Sequence, residues 1–310
     1  MKHQFSRRDF LARTALVGSG TWLAHAAVLN SLAADKWSPP ISVFSKIYQE
    51  LKLDFDQAAE LTADAGLDGV DCPVRPGGEI LPERAADDMP RYAEALRRHK
   101  ADILLLTTAV LSPATPHTES ILRTAKKLGV RYYRLGPVQV PRESAGAKQI
   151  TEIRAGLKDL AAMNKDLGLT AVFQNHSPSA KSRFIGGDLK ELHEIVKDFT
   201  PEQIGVAFDL GHALVVHGDD WPAHFERLKS HVKVAYVKDV KKGARFTPFG
   251  EGDFKTTGWF KQLKAMNCTA PFSLHIEFDW SNKGQDKTRA ALLKALRHSV
   301  GVLKQWVAEA

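Results

Sequence analysis

Ile204-Gly205-Val206-Ala207-Phe208-Asp209-Leu210-Gly211-His212 is an apolar run that stops at a carboxylate and a histidine. Three other stretches have the same design. Thr170–Phe173 leads into Gln174-Asn175-His176, Val232–Val237 leads into Lys238-Asp239, and Phe272–Ile276 carries Ser273 and His275 and is followed by Glu277. Apolar runs this short read as buried strands. Separated by helical stretches, they read as a parallel βα array. Side chains alternate across a strand, so Ala207 and Asp209 share a face, as do Val172, Gln174 and His176, Val234, Tyr236 and Lys238, and Ser273, His275 and Glu277. One parity is apolar and suits contact with outer helices. The other ends in polar groups and points into a barrel. In a (β/α)8 barrel the chemistry sits at the C-terminal ends of the strands, so the fold and the rim of the site are read together.

Eight strands are expected: Ile41–Phe44, Gly69–Cys72, Asp102–Thr107, Tyr132–Leu135, Thr170–Phe173, Ile204–Phe208, Val232–Val237 and Phe272–Ile276. Helical stretches fill the gaps and stop at Gly66, Gly129 and Gly168, where a left-handed residue ends a helix. The last, Lys287 to Val307, carries a stripe of Leu293, Leu296, Val300, Leu303 and Val307, which reads as plain core packing. Two long polar loops, Asn175–Gly187 and Asp239–Asp253, fall on the proposed catalytic face.

Ser6-Arg7-Arg8-Asp9-Phe10-Leu11 resembles the twin-arginine export motif, and a small-residue apolar stretch follows from Ala15 to Leu32. Gly18, Ser19, Gly20 and His25 make that stretch a poor membrane span, so residues 1–33 are expected to be a removed signal rather than an anchor. Residues 34–40 read as a linker, and 41–310 is the size of a single-domain (β/α)8 TIM barrel. The expected location is the periplasm or the outside of the cell. The net charge is +7, of which +3 comes from Lys2, Arg7, Arg8, Arg13 and Asp9 in the signal. The remaining basic residues are scattered, so no nucleic-acid footprint is present. Cys72 and Cys268 fall near strands 2 and 8 and are not expected to pair.

Ala65-Gly66-Leu67-Asp68-Gly69-Val70, Phe208-Asp209-Leu210-Gly211-His212, Tyr236-Val237-Lys238-Asp239 and Phe249-Gly250-Glu251-Gly252 together resemble the xylose-isomerase-like barrels, the sugar phosphate isomerase/epimerase superfamily. The resemblance implies one divalent ion held by Glu, Asp, His and Glu on strands 5 to 8. This chain has Gln174, Asp209, Tyr236 and His275 there, with Glu277 two residues further on. Gln174, Asp209 and His275 could hold Mn²⁺, Zn²⁺ or Mg²⁺, though with little charge for a hard ion. The alternative is a metal-free pocket that holds a sugar directly. No nucleotide cofactor is expected.

The catalytic candidates are His275, Lys238, His212 and Glu277. Histidines serve as bases or acids near neutral pH, and a lysine can stabilise a developing enolate. The resemblance gives His212 a substrate contact. Substrate-binding candidates are His176, Arg75 and Glu79 of the strand 2 loop, Lys46 after strand 1 and Arg134 on strand 4. Trp221, Trp259 and Trp280 could stack on a sugar, although core packing suits any one of them better. The expected activity is proton abstraction next to a carbonyl of a free sugar or sugar derivative, giving isomerisation, epimerisation or β-elimination. A lyase or hydrolase acting on keto-glycosides and a non-catalytic carbohydrate-binding barrel are the rival readings.

Overall fold

The computed structural model describes residues 37–241, 245–281 and 287–310. The signal segment and the start of the linker lie outside the described residues. Pro39–Ala310 forms one compact unit. Its frame is a closed barrel of eight parallel strands: β1 (Ile41–Phe44), β2 (Gly69–Val74), β3 (Asp102–Thr108), β4 (Tyr132–Arg134), β5 (Thr170–Gln174), β6 (Ile204–Asp209), β7 (Val232–Val237) and β8 (Phe272–Leu274). Each strand pairs with its sequence neighbours, and β1 closes on β8 through Ile41↔Phe272 and Val43↔Leu274.

All eight expected strands are present, with shifted ends. β2 runs on to Val74, β3 to Thr108, β5 to Gln174 and β6 to Asp209, whereas β4 stops at Arg134 and β8 at Leu274. His275 and Glu277 therefore lie just past the end of β8 rather than within it. The two long loops are also partly structured. Gln139–Pro141 pairs antiparallel with Ser182–Phe184, and Val240–Lys241 pairs with Arg245–Phe246.

Residues Phe55–Asp64 form a helix because Asp54 caps it. Its carboxylate accepts the Gln57 N–H while the Gln57 side chain accepts the Asp54 N–H, so two orphan donors are satisfied at once. The helices Thr118–Leu128 and Ala147–Leu167 end at Gly129 and Gly168, both in the left-handed region. Helix Arg289–Glu309 buries Leu292, Leu296, Val300 and Leu303, and Trp221 and Trp259 are core residues.

The strand parity holds inside the barrel. Leu105, Val172, Ala207, Val234 and Tyr236 pack together as an apolar plug with Tyr132 against it. Two residues further along β3, β5 and β6, the inward positions become Thr107, Gln174 and Asp209. The polar layer thus sits directly above the plug, at the strand ends. Among the described residues, no helix is long and apolar enough to cross a membrane. Cys72 and Cys268 form no disulfide.

Candidate active site

Asp209 organises the polar layer. Its Oδ1 accepts the His212 N–H at 3.1 Å, which caps the helix Leu210–His217 and accounts for the Asp-x-x-His spacing. Asn175 fixes the Asp209 backbone from β5, with one amide donating to Asp209 O at 2.8 Å and accepting Asp209 N–H at 2.8 Å. Asp209 Oδ2 accepts from Gln174 Nε2 at 2.9 Å and from Lys238 Nζ at 3.0 Å. Gly211 makes the lysine's approach possible, because a Cβ there would lie 2.7 Å from Lys238 Cγ.

Lys238 is the hub. Only 1 % exposed, its ammonium meets Asp209, donates to His212 Nε2 at 3.0 Å and to Glu277 Oε1 at 3.1 Å, and lies over the Phe246 ring. Accepting at Nε2 leaves the His212 proton on Nδ1, which faces Ser177 Oγ at 2.9 Å. Burial drives the His212 pKa well below its ordinary value, consistent with a neutral ring. Burial alone would raise the Asp209 carboxyl, but His212, Lys238 and His275 bring it down to about 2. With His212 neutral, the charge on Lys238 carries most of that effect. Glu277 would likewise be raised by burial, yet His275 and Lys238 hold it far below the usual carboxylate range.

A cavity of about 600 Å³ opens above this network at the C-terminal rim. His275 forms part of its wall, 3 % exposed, stacked on Phe44 with ring centroids 4.9 Å apart and tilted against Tyr236. Neither of its ring nitrogens has a hydrogen-bond partner, and Nδ1 lies 3.5 Å from Glu277 Oε1. Arg134 projects from β4, donates to Gln174 Oε1 and leaves its buried Nε without a partner. Opposite, His176 is held by Ser177 O at 2.8 Å and stacks against Phe184 and His212. Burial lowers its pKa.

Of the expected residues, His275, Glu277, His176, Gln174, Arg75, Arg134 and Lys46 line this cavity. Lys238, His212 and Asp209 are buried and do not line it; Lys238 holds Glu277 from behind. Glu79 is elsewhere. The chain reverses after β2 through Ile80 N–H to Pro73 O and Arg75 N–H to Ile80 O. That turn returns Glu79 to the outer side of the strand, where Ser45 donates to its carboxylate and the Cys72 thiol lies 3.9 Å away. Burial pushes Glu79 up to about 7.

The expected ion ligands do not form an open donor set. Both Asp209 oxygens are engaged, Gln174 turns its oxygen to a guanidinium, and an ammonium already sits between Asp209 and Glu277. Among the described residues, no group of three or more His, Cys, Asp or Glu side chains is placed to hold a metal ion. As arranged, these residues do not fit a divalent cation.

Sequence reasoning missed Phe44, Asn175, Phe246 and Asp71. Asp71 is fully buried inside the barrel and accepts from Thr107 Oγ1 at 2.7 Å and Ser273 Oγ at 2.9 Å. Its signal was an acid at an inward position of an apolar strand. The Gly250-Glu251-Gly252 motif proves to be scaffolding. Asp239 accepts the N–H groups of Val240, Gly250 and Gly252, and a Cβ on Gly252 would strike Asp239 Oδ1 at 2.3 Å. Trp280 lines the cavity.

This fold and rim place the chain in a known class. The family described as the xylose isomerase-like TIM barrel matches residues 59–305, and the chain belongs to it. Among solved structures it is similar to a putative xylose isomerase from Rhodospirillum rubrum, at 16% identity and TM-score 0.64, over 86% of this chain and 99% of that one. It is also similar to an L-ribulose 3-epimerase at 14% identity and TM-score 0.64, over 88% and 95% of the two chains. A 3-keto-D-glucoside 4-epimerase from E. coli aligns at 12% identity and TM-score 0.61, over 86% and 100%. No curated protein sequence matches.

Proposed function

We propose that this barrel is a sugar isomerase or epimerase-like enzyme that removes a proton next to a carbonyl, with His275 as the base and no metal ion. One observation carries the reading: His275 lines the cavity with Nε2 unpartnered, and its Nδ1 lies 3.5 Å from a carboxylate that His275 and Lys238 together keep ionised. Base and orienting group are often this loosely spaced before substrate binds. The imidazole takes the C–H proton while the electron pair of that bond forms the enolate and its charge passes to the carbonyl oxygen. Arg134 lines the same cavity, and its positive potential favours that charge. Return of the proton from the imidazolium to the former carbonyl carbon, while the hydroxyl proton on the deprotonated carbon passes to the enolate oxygen and a carbonyl forms there, gives an isomer. Return to the original carbon after the enolate has turned its other face to the imidazolium gives an epimer. If a β-oxygen leaves instead, it takes the proton and the result is elimination. Lys238 acts as a positioning residue.

The export motif of residues 1–33 favours a periplasmic or secreted enzyme and hence a free sugar or glycoside over a phosphorylated metabolite. The likeness to a 3-keto-D-glucoside 4-epimerase supports keto-glycosides as one substrate group. The test is deuterium incorporation from D₂O into ketoses and keto-glycosides, followed by NMR. His275→Gln should lower exchange about 10²–10⁴-fold while the fold survives. Sugar binding with neither exchange nor product, across a broad panel, refutes the enzyme reading.

A further inference from the structure

We infer that the substrate carries a carboxylate, held at the wall of the cavity by Arg75 and Arg134. This rests on the proposed function of the same site and names its substrate class.

The two guanidiniums lie near one aromatic ring. Arg75 Cζ lies 5.7 Å and Arg134 Cζ 5.9 Å from the centroid of Phe44, which stacks on His275. Their charges are poorly compensated. Arg75 is half-buried and, among the described residues, its guanidinium makes no hydrogen bond or ion pair. Arg134 is only 7 % exposed, and its one hydrogen bond goes to the neutral Gln174 while Nε is orphaned. The acids around the cavity are engaged elsewhere: Glu50 with Lys287, Glu277 with Lys238, and Asp279 with Ser281. Asp71 lies close enough to be felt by both arginines, but its oxygens are taken by Thr107 and Ser273 and burial raises its pKa. Burial and the neighbouring Arg134 also lower the Arg75 pKa.

Two partly desolvated guanidiniums side by side repel each other, and an anion between them relieves that repulsion. A planar carboxylate suits their fork geometry. The exposed Lys46 at the mouth adds to the positive field. Phe44 would stand under the carboxylate end of the sugar and His275 one ring further in. The acidic end would thus anchor the molecule while its reacting carbon meets the imidazole.

The experiment is calorimetric binding to the full chain at fixed ionic strength. The probes are D-glucuronate, D-galacturonate and D-mannuronate, each beside its neutral hexose, with D-glucose 6-phosphate as a second anion. At least one hexuronate should bind roughly 10- to 100-fold more tightly than its hexose, the scale of a charge-assisted contact. Arg75→Gln should remove that preference, read as the ratio of hexuronate to hexose affinity in the variant. Arg134→Lys, which keeps the charge and loses the fork, should weaken it in part. The inference is overturned if no hexuronate outbinds its hexose, if Arg75→Gln leaves the preference intact, or if the phosphate ester binds more tightly than every hexuronate. Deuterium exchange separates the two readings. Preferential uronate binding without exchange in any bound sugar supports the carboxylate site and refutes the chemistry. Exchange in neutral ketoses without uronate preference does the reverse.

Discussion

Replacing Lys238 by methionine keeps most of the stem and removes the ammonium from between two carboxylates. Asp209 is fully buried, so the variant would hold an ionised carboxylate with only Gln174 Nε2 and the His212 N–H as partners. Breaking a buried pair by removing one member costs about 3–5 kcal/mol. At roughly 2–4 °C per kcal/mol for a chain of this size class, the melting temperature should fall by about 6–20 °C. Removing the second charge should repair much of this. Lys238→Met with Asp209→Asn should be more stable than Lys238→Met alone, with an interaction energy on the order of 1–3 kcal/mol. Thermal unfolding by circular dichroism and urea titration of the four proteins measure the cycle. A loss below about 1 kcal/mol in the single variant, or simple additivity in the double, would refute the role of Lys238 as the charge that permits Asp209 to be buried.

Lys238 also stands where a metal ion would compete. Mn²⁺ or Zn²⁺ should leave the melting temperature of the wild type unchanged, chelators should leave its activity intact, and Lys238→Met should gain stability with Mn²⁺ through the freed Asp209 and Glu277 carboxylates; stabilisation of the wild type would restore the metal reading. Glu79 has a raised folded-state pKa, so its contribution to stability is present below about 4.5 and lost as pH rises through about 7. Relative to Glu79→Gln, the wild type should lose at most about 3 kcal/mol across that window, and less to the extent that the group is exposed. Urea midpoints at several pH values test this, and a constant difference between the two proteins counts against it. Changing Arg7 and Arg8 together to Lys should leave the protein in the cytoplasm, as fractionation would show; normal export of that variant rejects the signal assignment.

The barrel was legible because burial leaves a local mark. Each strand is a short run of three to seven mostly apolar residues, and its period-two alternation sorts Val172 from Phe173 and Ala207 from Phe208 before any contact is known. Gly66, Gly129 and Gly168 marked helix ends for the same reason, since a helix stop depends on one residue and its nearest neighbours. Parity also brought Gln174, Asp209 and His275 to one face. Depth was the part it could not give. That Lys238 ends as a buried ion-pair hub behind Glu277, while His275 faces the cavity, depends on how far β7 and β8 extend and on Gly211 admitting the lysine stem from another strand. Glu79 and Arg75 are four residues apart in one loop, yet the turn after Val74 sends one carboxylate outward and leaves the guanidinium at the rim. Phe44, Arg75 and Arg134 come from three strands or their loops, and nothing local relates them. Residue type and alternation are properties of the chain, but the pairing of charges is a property of distance, and only the closed barrel sets it.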